Sequence, residues 1–147
     1  MAGSLEGKVA FITGAAHGQG RASALALAKE GVHIAAFDIA QTLKYPGYGL
    51  GTENEMLSLK NECETLGVKC LVFTGDVSID DDIKSAVEKT RKELNTIDIL
   101  FNNAGICAYG SVHELTEQEW DAMLDINLKG AWLVARRIIP LMISQKS

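Results

Sequence analysis

No run of Lys or Arg occurs anywhere in this 147-residue chain, and its formal net charge is −5. Nucleic acids and anionic membranes both select basic surfaces, so neither is expected as a main partner. No stretch approaches the ~20 apolar residues of a membrane span. Met1 to Lys8 has no basic segment leading into a long apolar one, so export is not expected. Cysteine is sparse: Cys63, Cys70 and Cys107 are odd in number and share no metal-ligand spacing. They read as reduced, small hydrophobic fillers of a cytoplasmic protein. Histidine is equally thin. His17, His33 and His113 lie outside any ligand motif, so no metal is expected. Internal repeats and low-complexity tracts are also lacking.

What remains has the composition of an ordinary soluble globular protein, 47% apolar and 22% charged. A chain of this length is expected to form one domain, residues 1–147, with a real core. Strand and helix signals alternate, the pattern of an α/β fold with a parallel sheet and crossover helices. Val9 to Ile12, His33 to Phe37, Cys70 to Phe73 and Ile97 to Phe101 read as buried strands. None alternates strictly, as expected where helices cover both faces of a sheet.

Helix starts are marked by Thr52 before Glu55, Ser78 before Asp81 and Thr116 before Glu119, the spacing of a capping box or its aspartate variant. Met56, Leu59, Cys63 and Leu66 form one apolar face, closed by Gly67 as a C-cap. Ile83, Ala86, Val87, Thr90 and Leu94 form another. That helix has Asp80 to Asp82 at its start and Lys89, Arg91 and Lys92 near its end, as its dipole favours. Ala22, Ala24, Ala26 and Ala28 let the first helix lie close to the sheet. The last helix is expected from about Glu117 into the 140s, with Pro140 kinking it or loosening its final turns. The connection from Ile39 to Gly51, with Tyr45, Pro46 and Tyr48, exceeds the ~4–6 residues usual between elements.

The octapeptide Thr13-Gly14-Ala15-Ala16-His17-Gly18-Gln19-Gly20 follows the first strand and opens the first helix. A strand that turns through glycines into a helix leaves unpaired N–H groups at the positive end of the helix dipole, where phosphates bind. The spacing of Gly14, Gly18 and Gly20 is G-x-x-x-G-x-G, which by itself also fits a tight turn. Asp38 ends the second strand, 18 residues past Gly20. A carboxylate there can hold both hydroxyls of an adenosine ribose, or it can cap a turn. Asp76-Val77 and Asn102-Asn103-Ala104-Gly105 end the next two strands. All four strand ends thus carry polar or small residues along one edge, where open parallel sheets take their ligands. Plainer readings stand beside these. Asp76 fits a turn before Ser78, Asn102 a stabiliser of backbone between neighbouring strands, and His113 a surface loop. Trp120, Met123 and Leu124 read as helix packing, and Asn127 as a solvent-facing or helix-bonding residue.

Thr13 to Gly20, Asp76-Val77, Asn102 to Gly105 and Asn127 together resemble, in order and spacing, the first half of the short-chain dehydrogenase/reductase family. The Ile39 to Gly51 insertion is similar to that of the carveol dehydrogenase and mycofactocin-associated subgroup. The resemblance implies a Rossmann-type doubly wound parallel sheet, here about four strands in the order 3-2-1-4. It implies NAD as cofactor, with Gly14 and the backbone of His17, Gly18, Gln19 and Gly20 around the pyrophosphate. Asp38, with Ile39 beside it, would bind the adenosine ribose, and Asp76 and Val77 would contact adenine. Asn103, Ala104 and Gly105 would lie beneath the nicotinamide ribose. Asn127 would be the active-site asparagine, whose helix distortion holds a water in a proton relay. The inserted loop would fold over the cofactor and slow its release; a solvated surface loop is the alternative. A 2′-phosphate beside Asp38 would be repelled, so NAD(H) is expected over NADP(H) by about tenfold or more (~1.4 kcal/mol per decade).

The family's catalytic Tyr-x-x-x-Lys pair is missing, because Tyr45, Tyr48 and Tyr109 each lack a lysine four positions on. A positioned acid/base must accompany hydride transfer. Ile97 to Phe101 would also be left as an apolar, unprotected edge. The expectation is therefore the cofactor-binding half of an NAD-dependent enzyme that interconverts a secondary alcohol and a ketone, inactive alone. Its parent would be a homo-oligomer, tetrameric or dimeric, whose long last helix joins an intersubunit bundle. A non-catalytic nucleotide-binding module and an inert fragment are the rival readings.

Overall fold

Val9–Thr13 (β1) is buried along its whole length, because it lies inside the sheet with helices over both faces. His33–Asp38 (β2) pairs with it on one side and Ile99–Phe101 (β4) on the other, so Phe11 stands between Ala35 and Leu100. Cys70–Thr74 (β3) pairs with the far side of β2. The four strands are parallel in the order β3-β2-β1-β4, as the resemblance implies. The computed structural model describes residues 5–45 and 47–146. Met1 to Ser4, Pro46 and Ser147 lie outside the described residues, and with Pro46 the Tyr-Pro step of the long connection.

Side chains alternate across a strand, and this divides the core in two. Ala10 and Ile12 of β1 with Ile34 and Ala36 of β2 face Gly18–Lys29 (α1) and Glu53–Thr65 (α2). Phe11, Ala35 and Phe37 face the other way, toward Asp80–Leu94 (α3) and Ala131–Gln145 (α5). The outer strands depart from the expectation of full burial. β3 and β4 are half-buried, since each pairs on one side among the described residues. β4 also starts two residues later than Ile97, because Asp98 turns its carboxylate back onto the Val9 N–H (2.9 Å).

The helices follow their amphipathic faces with three corrections. All five apolar positions of α3 are buried as expected, but Ser78 does not cap it. The Asp76 carboxylate accepts from both the N–H and the hydroxyl of Ser78 at 2.7 Å, leaving Ile79 at the cap position. In α1 only Ala24 and Ala28 reach the core, because residues two apart stand on opposite sides of a helix. Leu66 lies past the end of α2 and is 42% exposed. α5 runs through Pro140 into the 140s as expected, helical to Gln145. Thr52 and Thr116 form full capping boxes, and Gly67 takes the left-handed φ of +86° after the α2 cap. Cys63 and Cys70 are buried fillers, with their mutual hydrogen bond and then burial pushing the Cys70 thiol up, whereas Cys107 is exposed.

The last helical stretch is not uniform. Glu117–Met123 (α4) passes into a π-helical segment, Leu124–Gly130, before α5 begins. Arg137 of α5 clamps this layer to α3 through a paired hydrogen bond to Asp80. Among the described residues no helix is long and apolar enough to cross a membrane.

Candidate functional site

Thr13, the last residue of β1, is fully buried, and its hydroxyl accepts from the backbone N–H of Asn103 and of Ala104 at 3.0 Å each. Asn103 reciprocates, its side-chain amide donating to the carbonyls of Thr13 (3.0 Å) and Gly14 (3.1 Å). The end of β1 and the segment leaving β4 are thereby joined where the strand order reverses. Open parallel sheets bind ligands at such a switch point. Asn102, by contrast, donates to the Ala131 carbonyl at 2.7 Å and so anchors the start of α5, not a neighbouring strand.

Gly14 turns out of β1 with φ +64°, a conformation that disfavours any side chain. α1 then approaches so closely that a Cβ on Gly20 would lie 2.0 Å from the Gly14 carbonyl oxygen. Gly18 (φ +55°) faces open space instead. His17 precedes α1 in extended backbone with no side-chain cap, and the first turn carries no acid. Its leading N–H groups are therefore available to an anion. Arg21, one turn on, is already engaged by the Glu55 carbonyl, Ser58 and Glu62 of α2.

Asp38 is 3% exposed and sits beside this loop. Its two carboxylate oxygens accept from the Ala16 N–H and the Ala40 N–H, each at 3.0 Å. It therefore caps a turn, as the plainer reading had it, and also lines the crevice at the strand ends. Gly14, His17, Ile39, Asp76, Val77, Ala104 and Gly105 line the same crevice. Gly18, Gln19, Gly20 and Asn103 do not; the two outer glycines shape the loop and Asn103 holds it.

Asn127 falls in the π-helical segment, and such segments recur at functional sites. Its side chain grips one residue twice: the oxygen accepts from the Ile106 N–H and the amide donates to the Ile106 carbonyl, both at 2.8 Å. Trp120 and Leu124, expected to pack, are 51% and 41% exposed. Met123 is half-buried, with its sulfur 3.3 Å from the Ala108 N–H. His113 is exposed on the loop before α4. Among the described residues no three His, Cys, Asp or Glu side chains gather as a metal site.

The connection from Ile39 to Gly51 is no free loop but a strap laid across the crevice. Leu43, Leu50 and Gly51 line it from above. A Cβ on Gly51 would meet the Ala16 side chain at 2.4 Å and the Asp38 carboxylate at 2.8 Å. At the far wall Lys44 and Tyr45 both donate to Gln118 (3.2 and 3.3 Å), and the Tyr48 hydroxyl accepts from the Cys107 N–H (2.9 Å). The space enclosed beneath is about 70 Å³. Ligand pockets typically hold ~300–1,000 Å³, so the crevice is narrow with the strap in this position.

The sequence matches the short chain dehydrogenase family over residues 8–147. The chain belongs to the short-chain dehydrogenase family. It is 37% identical to a (-)-trans-carveol dehydrogenase of Rhodococcus erythropolis, over 92% of this chain and 50% of the relative. It is 39% identical to a 3-oxoacyl-(acyl-carrier-protein) reductase of Thermotoga maritima, over 97% of this chain and 53% of the relative. The structure of carveol dehydrogenase from Mycobacterium avium in complex with NAD superposes with a TM-score of 0.93 at 35% identity, covering 97% of this chain and 52% of that one. A short chain dehydrogenase from Mycobacterium paratuberculosis bound to NAD gives the same TM-score at 33% identity, covering 97% and 53%. The chain thus spans about half the length of these relatives. Within this family member, sequence reasoning overlooked Thr13 as a latch, Gln118 as an anchor, Leu43 and Leu50 as crevice walls and Tyr48 as the strap's contact with Cys107. Only the unusual length of the strap signalled the last three.

Proposed function

We propose that this crevice binds NAD(H) and that the chain is the cofactor-binding half of an oxidoreductase interconverting a secondary alcohol and a ketone. The observation that carries the reading is Asp38, a buried carboxylate on the crevice wall, directly bonded to the loop that opens α1. The chain's own atoms fit a dinucleotide. The uncapped N–H groups at the start of α1 suit a diphosphate, and Gly18 leaves the approach open. Asp38, with Ile39 beside it, would hold the adenosine ribose, and Asp76 and Val77 would border the adenine. Ala104 and Gly105 would underlie the nicotinamide ribose, with Asn103 fixing them to Thr13. When bound, the nicotinamide supplies the acceptor or donor of a hydride. Asn127 would hold the segment around Ile106 and, through its π-helical backbone, a water in a proton relay.

The bound NAD of two structural relatives supports the cofactor, and the carveol dehydrogenase likeness supports a small alicyclic or terpenoid-like alcohol as substrate. The sequence contains no Tyr-x-x-x-Lys, so the acid/base that takes the alcohol proton is not supplied here. This chain alone binds NADH without turning over alcohols or ketones. The reading also carries a cytoplasmic setting and assembly into a homo-oligomer. In support, Trp120, Leu124, Leu128, Trp132, Ile139 and Ile143 stand exposed along one helical stretch, a surface that favours burial against another helix.

Fluorescence titration of the purified chain with NADH tests the reading. Saturable binding with no oxidation of secondary alcohols is the result expected. Failure to bind NADH overturns the cofactor assignment, and measurable turnover overturns the assignment of the acid/base to other residues.

A further inference from the structure

The end of α2 folds back onto the start of β3 and brings together two thiols that the proposed function does not use. Cys63 lies in the last turn of α2, and Cys70 is the first residue of β3. Between them Gly67 takes its left-handed φ of +86°, and the Cys63 carbonyl accepts from the N–H of both Leu66 (3.1 Å) and Val68 (3.3 Å). On its other side Cys70 stands in register with Ile34 of β2. Both cysteines are buried in one core cluster, and the Cys70 thiol donates to the Cys63 sulfur.

Two features separate this pair from inert core filling. The hydrogen bond from Cys70, with the Arg21 guanidinium nearby, holds the Cys63 thiol below its ordinary range, against burial and the carboxylates of Glu62 and Glu64. The thiolate is the nucleophilic form of cysteine. Cys70, in turn, lines a groove of about 420 Å³ at the outer edge of the sheet, with Lys60, Glu64, Gly67 and Val68 around it. A small hydroperoxide that enters there meets a sulfur pair in which the second thiol already touches the first.

We propose that Cys63 and Cys70 are a redox pair that hydrogen peroxide converts into a reversible disulfide, fastening the end of α2 to β3. The Cys63 thiolate attacks one peroxide oxygen, the O–O bond breaks, and Cys63 becomes a sulfenic acid. The hydroxide released takes up the proton that Cys63 had lost, giving water. The Cys70 sulfur then bonds to the Cys63 sulfur, the S–O bond breaks, and the Cys70 proton leaves with the hydroxyl as a second water. Each thiol sulfur is oxidised by one electron, and the peroxide is reduced by two. A dithiol reductant reverses the step by thiol–disulfide exchange.

Exposure of the folded full chain to hydrogen peroxide, followed by thiol titration in denaturant and mass mapping of the linked peptides, tests it. Both buried thiols are expected to disappear, with the mapped link joining Cys63 to Cys70, and dithiothreitol is expected to restore them. The oxidised chain should melt several degrees above the reduced one, because the link constrains the unfolded chain. Cys107→Ser should leave the reaction unchanged. Cys70→Ala should slow the consumption of Cys63 about tenfold, since the thiolate loses its donor. Wild type alone supplies the decisive reading, whether or not that variant folds. Oxidation of Cys107 with both buried thiols retained overturns the proposal. So does a link that includes Cys107, one that forms only in urea, or one that forms without raising the melting temperature.

Discussion

The Asp38 carboxylate accepts a 3.0 Å hydrogen bond from the Ala16 N–H, joining the end of β2 to the loop that opens α1. Its other oxygen takes the Ala40 N–H, at a residue held at φ +49°. One side chain thus builds the crevice and supplies its charge. Asp38→Ala is expected to orphan two N–H groups at about 1–3 kcal/mol each and to lower the urea midpoint. It should also weaken NADH and narrow the preference over NADPH. An unchanged NADH-to-NADPH affinity ratio would sink the ribose assignment.

Gly20→Ala and Gly18→Ala separate close packing from backbone strain. The new methyl at Gly20 would lie 2.0 Å from the Gly14 carbonyl oxygen, a backbone atom that cannot swing aside. α1 must then move off the glycine loop, at about 1–3 kcal/mol and with loss of NADH affinity. At Gly18 nothing lies within 4 Å, and only the left-handed φ of +55° opposes a side chain, at about 1–2 kcal/mol. Thermal melts paired with NADH titration should therefore show the greater loss of affinity at Gly20.

Thr13→Val keeps the volume of a fully buried side chain but deletes the acceptor of two N–H groups. The expected cost is about 2–5 kcal/mol, since Asn103 and Ala104 lose their partner together. Thr13→Ser restores the oxygen and should recover most of it. Equal melting temperatures for the valine and serine variants would contradict the latch.

Acid should loosen α3 from α5 through one pair. Hydrogen bonds from the Arg137 guanidinium hold the Asp80 carboxyl below its ordinary range. The folded chain thus ionises Asp80 at lower pH than the unfolded chain does. The stabilisation is complete above the unfolded value of about 4 and disappears as pH falls through the folded one. Asp80→Asn should melt below wild type at neutral pH, and the gap should close as the pH falls below about 4. A gap that stays constant with pH would rule out the pair as its source.

Legibility along the chain followed the range of the interaction involved. The buried face of α3 was readable because the 3.6-residue period is local, and so were both threonine capping boxes. Ala22 and Ala26 were misread because composition alone does not assign a side of the helix. Ser78 was misread because Asp76, two residues earlier, competes for its hydroxyl. Asn102 and Asn103 look alike in sequence, yet one anchors Ala131 and the other bridges Thr13 and Gly14. The exposure of Trp120 and Leu124 was hidden because an apolar residue on a helix reads as core until its neighbours are known.

By itself the sequence determined the succession of strands and helices, the glycine turn after β1 and the line of polar residues at the strand ends. Each of these arises from contacts within a few residues, where backbone sterics and side-chain periodicity suffice. Only the tertiary structure decided that Thr13 receives two N–H groups from a segment 90 residues away. It alone laid the strap against Cys107 and Gln118, and turned the helix around Asn127 into a π segment against Ile106. Those arrangements depend on partners brought together by burying apolar side chains on both faces of one sheet. Local pattern carries no record of which distant donor will meet which acceptor.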